Sequence, residues 1–443
     1  MKNNGYTRRI IRRALSVMTV FSLLFSLSSC LVSTVVTEDE SRETQALTDK
    51  PVTGTDTETN ADITETNGPD TDAIATVTET ETEPEETEPE PDPVRLSFVG
   101  MGDNIVYGCT FRQADKGGGS YDFLPLYGDG VKSFIKEADI AFINQETPMC
   151  GSKYGYSSYP QFNTPDQMGR DLVKLGFDVI SFANNHMADM GYNSKSCVSD
   201  MIDFTDTLDA LIVGLYRNRD DFENIRVYEK EGVKIAFLAY TYATNIFHKK
   251  TEPGGVTGAY LPIYDEDTVK RQVTAANELA DLVIVSIHWG TEDTHKVNDE
   301  QTRYAKLIAD CGADVILGHH PHVIQKIEWI EGESGNKTLC YYSLGNGLNA
   351  QDHLKNMVGI TASFDIVKDK DGARIENPSC IPTFNVMTPG YKNIKLILLQ
   401  NMTADIASKH NCNSKDSKKV TVESAYSIIK DNIDPEFLPD YLK

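Results

Sequence analysis

From Val94 onward the chain alternates short apolar runs with amphipathic segments. Runs such as RLSFVGM, DIAFI, DVISFA, DLVIVSI and ADVILG are too short and too rich in β-branched residues for buried helices. Strands are predicted at 95–101, 139–144, 178–183, 211–215, 233–241, 281–288 and 313–318. Between them, apolar residues recur at helical spacing, predicting helices at 129–138, 165–175, 194–209, 266–280 and 298–311. Strands separated by helices imply βαβ units and a largely parallel sheet. Beyond His322 the pattern changes: IQKIEWI, TLCYYSL, GITASFDIV and the region after Ala373 read as successive strands with turns such as Lys370-Asp371-Gly372. An added antiparallel sheet, packed into a layered α/β sandwich, is the expectation. No internal repeat is visible. Residues 401–443 are polar and predicted to be peripheral, with one helix near 422–431.

Where the apolar runs stop, polar clusters begin. They are Gly102-Asp103, Asn144-Gln145-Glu146, Asn184-Asn185-His186, His288-Trp289-Gly290 and His319-His320-Pro321-His322. In open α/β sheets the loops after the strands converge on one crevice, where ligands bind. Carboxylate, amide and imidazole groups together suit divalent metals. Taken singly, each cluster has a plainer reading. Asp103 after a glycine serves as readily for a helix cap or turn, Glu146 as a solvated loop residue, Asn184-Asn185-His186 as a turn, and His288 as a core imidazole. Three imidazoles within four residues have few structural uses, and imidazole is the commonest metal ligand. That cluster makes the other four harder to dismiss.

The N-terminal fifth changes the picture of the whole. Lys2, Arg8, Arg9, Arg12 and Arg13 precede an uncharged apolar stretch, Ala14 to Ser29. At sixteen residues it is shorter than the roughly 20 that span a bilayer, so residues 1–29 are predicted to be a secretory signal. The stretch ends in Leu27-Ser28-Ser29-Cys30, which is similar to a bacterial lipobox, with Cys30 as the lipidated residue; an uncleaved N-terminal anchor is the other reading. Either places the remainder outside the cytoplasmic membrane. Glu38 to Asp92 carries nineteen acids against Arg42 and Lys50, a net of −17. It is Thr, Glu, Asp and Pro with almost nothing to bury, so residues 30–93 are predicted to be a disordered acidic tether.

The total of −24 therefore reduces to −12 for residues 93–443. A mildly acidic domain without a basic stripe argues against nucleic acid as a partner. Among the cysteines after Cys30 no pair has C-x-x-C spacing, so a structural zinc site is not expected. Buried thiols are the default for these seven, and export permits a bridge or two that the sequence does not identify.

The set Gly102-Asp103, Asn144-x-Glu146, Asn184-Asn185-His186-x-x-Asp189-x-Gly191, His288-Trp289-Gly290-x-Glu292, Gly318-His-His-Pro-His322-Val323 and Tyr342-Ser343-Leu344-Gly345-Asn346 resembles the bacterial capsule-synthesis CapA family. That family is associated with poly-γ-glutamate production and with the calcineurin-like metallophosphoesterase fold. The resemblance implies a layered α/β sandwich of the metallo-dependent phosphatase type over 94–400, with mixed sheets and flanking helices, holding one or two divalent ions (Mn, Fe, Zn or Mg). Asp103 then matches the first metal-binding Asp, Glu146 the bridging carboxylate, Asn185 an amide ligand and His288 a lone His ligand. His322 with either His319 or His320 matches the closing His pair. His186, with Asn184 beside it, falls in the catalytic position facing the substrate; Trp289, Glu292 and Asn346 fall at the substrate cleft.

Two positions depart from the phosphoesterase pattern. Asp103 is followed by Asn104-Ile105 rather than by x-His, and the bridging carboxylate is Glu rather than Asp. The resemblance implies a membrane-anchored extracytoplasmic protein working on an anionic extracellular polymer or a phosphoester, by metal-dependent hydrolysis or transfer. Membrane capsule-synthase subunits are the expected partners. A non-catalytic scaffold or export subunit of such a synthase is the alternative, and an extracellular metallophosphoesterase a further one.

Overall fold

The computed structural model describes residues 92–190, 197–246, 259–417 and 419–443. The predicted signal, Cys30 and the acidic tether up to residue 91 lie outside those residues, as do 194–196 of a predicted helix. Among the described residues no helix is long and apolar enough to cross a membrane.

The strands are β1 (Val94–Asn104), β2 (Asp115–Gly117), β3 (Ser120–Tyr121), β4 (Ile140–Gln145), β5 (Val179–Ser181), β6 (Leu211–Val213), β7 (Arg226–Lys230), β8 (Val233–Thr241), β9 (Leu282–His288), β10 (Val315–His319), β11 (Ile327–Glu331), β12 (Lys337–Tyr341), β13 (Val358–Asp369), β14 (Gly372–Thr388) and β15 (Lys392–Leu398). The seven apolar runs become β1, β4, β5, β6, β8, β9 and β10, with ends within three residues of expectation. Helices form at Asp129–Glu137, Gln167–Leu175, Cys197–Thr205, Glu266–Leu279 and Asp299–Asp310, in the predicted intervals.

Two mixed sheets carry the fold. One has the order β15-β14-β13-β1-β4-β5-β6, the other β11-β12-β10-β9-β8-β7. Within the first, β1, β4, β5 and β6 run parallel, and β13 to β15 join β1 antiparallel. Within the second, β8, β9, β10 and β12 are parallel, with β7 and β11 antiparallel at the edges. The strands after His322 thus do not make the separate antiparallel sheet expected from the sequence. They are divided between the two existing ones, because each has an unpaired edge to satisfy.

Period-two alternation explains the layering. Along β8, Ala236, Leu238 and Tyr240 join the helices Glu266–Leu279 and Asp299–Asp310 in one core, while Ile235, Phe237 and Ala239 face the first sheet in the other. Phe142 of β4 stacks on Phe237 with centroids 6.3 Å apart. The Ser181 and Ser286 hydroxyls meet across the same gap at 3.2 Å. On β9 and β10 the inward set is Ile284, Ser286 and His288, and Val315, Leu317 and His319. The imidazoles therefore inherit the inter-sheet face from their strand register.

The segment after Asn401, read as peripheral from its polarity, contributes Ala407, Cys412, Ala425, Ile429, Phe437 and Leu442 to the same core as the sheets. Its helix, Val422–Asn432, buries Ala425 and Ile429 one turn apart. Cys150 and Cys197 are joined in a disulfide, correcting the expectation of buried thiols for that pair; Cys109, Cys311, Cys340, Cys380 and Cys412 are free.

Candidate metal centre

The parallel strands of both sheets deliver their carboxyl ends to one place. Asp103 pairs in register with Asn144, and His288 with His319. Two glycines make the convergence possible. A Cβ on Gly102 would lie 2.1 Å from the Gly345 carbonyl oxygen, and one on Gly318 2.1 Å from that of Tyr342. The segment 342–346 can run across both strand ends because neither has a side chain there. Asp103 N–H donates to Gly345 O at 3.0 Å and fixes the approach.

Asp103 is fully buried. Its Oδ1 accepts from Asn144 Nδ2 (2.8 Å) and its Oδ2 from the His320 amide (3.0 Å). His322 Nδ1 stands 3.2 Å from Oδ2, and His319 Nδ1 3.5 Å from Oδ1. Glu146 is buried beside it, with His322 Nε2 at 3.5 Å and His186 Nε2 at 3.9 Å. One ligand atom each from Asp103, Glu146 and His288 falls within 4.8 Å of the others. Asn185 Oδ1 accepts from His288 Nε2 at 3.1 Å, so the predicted amide ligand is in the same cluster.

The electrostatics follow from burial without water. Burial opposes ionisation of Asp103, yet the imidazoles of His319 and His322 against its oxygens outweigh it and hold the carboxyl well below its usual range. Burial pushes Glu146 well above its usual value; His322 pulls the other way and Asp103 adds to the rise. Burial would lower His322, but the two carboxylates around it raise it to about 10. Burial and neighbouring imidazoles depress His288 well below 6.5 and His320 to about 3. Neutral imidazoles with free lone pairs next to buried carboxylates form a set that favours a cation.

Both Glu146 oxygens, Asn144 Oδ1, His288 Nδ1, both His319 nitrogens and His320 Nδ1 are buried without a hydrogen-bond partner. Buried polar atoms are normally satisfied, so orphans around one cluster call for a partner. A divalent cation held by Asp103, Glu146, His288 and Asn185 would engage the Glu146 and His288 atoms among them.

At the side of this cluster His186 is held by contacts outside it. Its Nδ1–H donates to Asp189 Oδ2 at 2.6 Å, and the same oxygen accepts from the Phe162 amide at 2.9 Å. The Phe162 ring packs edge-on against the imidazole, centroids 4.9 Å apart. Asn245 places its Nδ2 3.1 Å from His186 Nδ1 and takes a hydrogen bond from Asn185. Asp189 fixes the proton on Nδ1 and leaves Nε2 toward Glu146.

Three sequence assignments look different in place. Asn184 spends its side chain on the backbone, donating to Gln145 O (3.1 Å) and accepting from the His186 amide (3.0 Å), so it braces the loop. Trp289 is fully buried in the helix-covered core, stacked on Tyr342 and donating to its carbonyl at 2.9 Å, and does not line the cleft. Strand parity requires this, since His288 points the other way. Asn346 accepts from His322 Nδ1 at 3.1 Å and donates to His322 O, Gln351 and the Asn356 carbonyl, orienting the imidazole. Glu292 is exposed, near His320 and His322. Sequence reasoning gave no role to Asp189, although its spacing from His186 was visible, and missed Asn245, which follows an uncharged run with no chemical signal.

The fold is a layered α/β sandwich whose strand ends gather carboxylates, an amide and imidazoles able to hold a divalent cation. The chain belongs to the family described as bacterial capsule synthesis protein PGA_cap, whose sequence pattern matches residues 95–351. It is similar to capsule biosynthesis protein CapA of Bacillus anthracis, with 30% identity over 226 residues, 49% of this chain and 52% of that one. PGA biosynthesis protein CapA of Bacillus subtilis (strain 168) is 29% identical over 247 residues, 55% of this chain and 61% of that one. The matches thus span about half to three fifths of these relatives' length. Among solved structures, the calcineurin-like phosphoesterase YfkN from Bacillus subtilis aligns over 77% of this chain and 97% of its own, with 12% identity and a TM-score of 0.39.

Proposed function

We propose that this protein acts outside the cytoplasmic membrane, held there through lipidated Cys30, in synthesis, export or remodelling of poly-γ-glutamate or a related anionic capsule polymer. The chemistry is metal-dependent hydrolysis or transfer at an amide or phosphoester bond. The observation that carries the reading is the cluster of unpaired buried donors around Asp103, Glu146 and His288, beside a histidine held by a carboxylate. A divalent cation at such a site supplies positive charge that polarises a substrate oxygen and acidifies water. The chain's own part is orientation and proton handling. Asp189 keeps the Nδ1 proton of His186 in place; the imidazolium form, which carries a second proton on Nε2, gives that proton to the leaving group or stabilises charge developing there. The Cys150–Cys197 bond supports an oxidising location.

The test uses the purified full chain with added Mn2+, a poly-γ-glutamate preparation followed by chain length, and an aryl phosphate ester. Turnover of either substrate that is lost in His186→Ala, with bound metal retained, supports the reading. Absence of turnover, together with normal capsule export by cells carrying His186→Ala, would replace it with a scaffold role.

A further inference from the structure

The surface beside His186 carries an arginine that the fold itself does not use. Arg112 is exposed on the helix Gly108–Ala114, which follows β1. Every other described arginine pairs with an acid or lies over an aromatic ring, whereas Arg112 has no such partner among the described residues. Its side chain folds back along the helix, as long helical side chains do. A Cβ on Gly108 would lie 3.1 Å from Arg112 Nη1, 3.2 Å from Ser158 Cβ and 3.5 Å from Ser158 Oγ. Glycine thus leaves a notch with a guanidinium on one wall and a hydroxyl on the other. Ser158 Oγ already accepts from the Gly108 amide at 2.9 Å, so its own proton is left to donate.

Aromatic rings connect this notch to the metal centre. Tyr107, the residue before Gly108, sets its ring edge-on to Phe162 with centroids 5.4 Å apart, and Phe162 in turn packs on His186. Burial pushes the Tyr107 phenol up, and the charges of Glu146 and Glu292 add to the rise against a hydrogen bond with Gln351. Its hydroxyl is therefore within electrostatic reach of the metal-centre carboxylate. Tyr159, one residue past Ser158, lies 6.4 Å from Phe162 between centroids and is 71% exposed, more than any other large apolar side chain described. Guanidinium and hydroxyl donors suit a carboxylate, which the arginine fork grips through both oxygens. An exposed ring alongside suits the methylene groups that carry such a carboxylate.

We propose that Arg112, Ser158 and Tyr159 form a polymer-binding subsite beside the metal centre, taking a free carboxylate and its methylene stem from an acidic polyamide whose backbone passes over Tyr107 toward His186. The subsite rests on the polymer reading above and deepens it, because it selects a carboxylate chain over a phosphoester. One placed cation, left unpaired among acids, lets an acidic domain hold an acidic polymer without a basic stripe.

The experiment measures binding of a fluorescently labelled, short γ-linked glutamate oligomer to the Mn2+-dialysed full chain by anisotropy, with labelled polyphosphate in a parallel arm. Arg112→Gln should weaken the oligomer by about tenfold, the scale of a charge-assisted hydrogen bond. Arg112→Lys keeps the charge without the fork and should recover part of the loss. Tyr159→Ala should weaken it by about two- to tenfold. Lys270→Gln removes the same charge from the helix on the outer face of the second sheet and should change affinity by less than about twofold. Arg112, Tyr159 and Lys270 are exposed, so unfolding does not confuse the result, and near-ultraviolet circular dichroism checks this. Oligomer binding that is untouched by Arg112→Gln, or weakened equally by Lys270→Gln, would overturn the subsite and leave the polymer reading standing. Polyphosphate binding that needs Arg112 while oligomer binding does not would overturn it too. A wild type that binds no glutamate oligomer would sink the polymer reading along with the subsite.

Discussion

Gly102→Ala is the sharpest probe of how the site is built. The new methyl carbon would lie 2.1 Å from Gly345 O and 3.0 Å from Leu344 Cβ. Carbon and oxygen do not approach that closely, so the end of β1 and the segment 343–347 must part by about 1 Å even for a tight contact. Two hydrogen bonds bind them at this point, Asp103 N–H to Gly345 O at 3.0 Å and Gly347 N–H to Asp103 O at 2.9 Å. Stretching a buried pair of this kind costs about 1–3 kcal/mol, and overpacking alone costs about 1–3 kcal/mol. The two share one displacement, so about 3 kcal/mol of lost stability is expected. Asp103 shifts with its strand, so metal affinity should fall as well. Urea unfolding of the metal-free variant by circular dichroism gives the first quantity, and Zn2+ dialysis the second. A Gly102→Ala protein within about 0.5 kcal/mol of wild type, the range of an ordinary surface substitution, with metal affinity unchanged, would refute the convergence argument.

Three further outcomes follow from the same geometry. Asp189→Asn removes the carboxylate that orients His186 without touching Asp103, Glu146 or His288. It should lower kcat by about 10²–10⁴, the scale of general acid–base catalysis, at unchanged metal content, and equal loss of both would assign Asp189 to metal retention. Reducing the Cys150–Cys197 bond releases a loop with a sequence separation of 47, so stability should fall by about 4 kcal/mol on chain-entropy grounds; a urea midpoint indifferent to reductant contradicts this. Burial raises the Asp314 carboxyl to about 7, with only the Val283 amide hydrogen-bonded to it and lowering it. A raised folded-state value gives stability that is complete below the unfolded carboxyl range near 4 and is lost as pH rises through 7. Asp314→Asn should therefore gain stability over wild type at pH 8 and show no gain at pH 4, measured by urea unfolding at both.

Most of the site was legible because its residues sit at the ends of apolar runs. DLVIVSI before His288 and ADVILG before His319 set both strand and direction, and parallel strands leave only one end for the loops to meet. Strand parity would also have placed Trp289 in the opposite core, had it been applied to the residue after His288. The positions of β11 to β15 were not legible. An alternating run says that a strand exists, and its neighbour depends on which sheet edge is open. The C-terminal segment misled for a related reason: its buried residues are single apolar positions in polar surroundings, such as Cys412 and Leu442. Asn245 and the Cys150–Cys197 pair depend on contacts 59 or 60 and 47 residues distant, and local pattern carries no trace of them.

The central claim is that the buried donors around Asp103 and His288 bind a divalent cation. Elemental analysis of the full chain, purified without chelator and dialysed against Mn2+ or Zn2+, addresses it directly. At least one tightly held ion per chain in wild type, absent from His288→Ala, is the predicted result. A wild-type protein that retains no stoichiometric ion from either solution would contradict it.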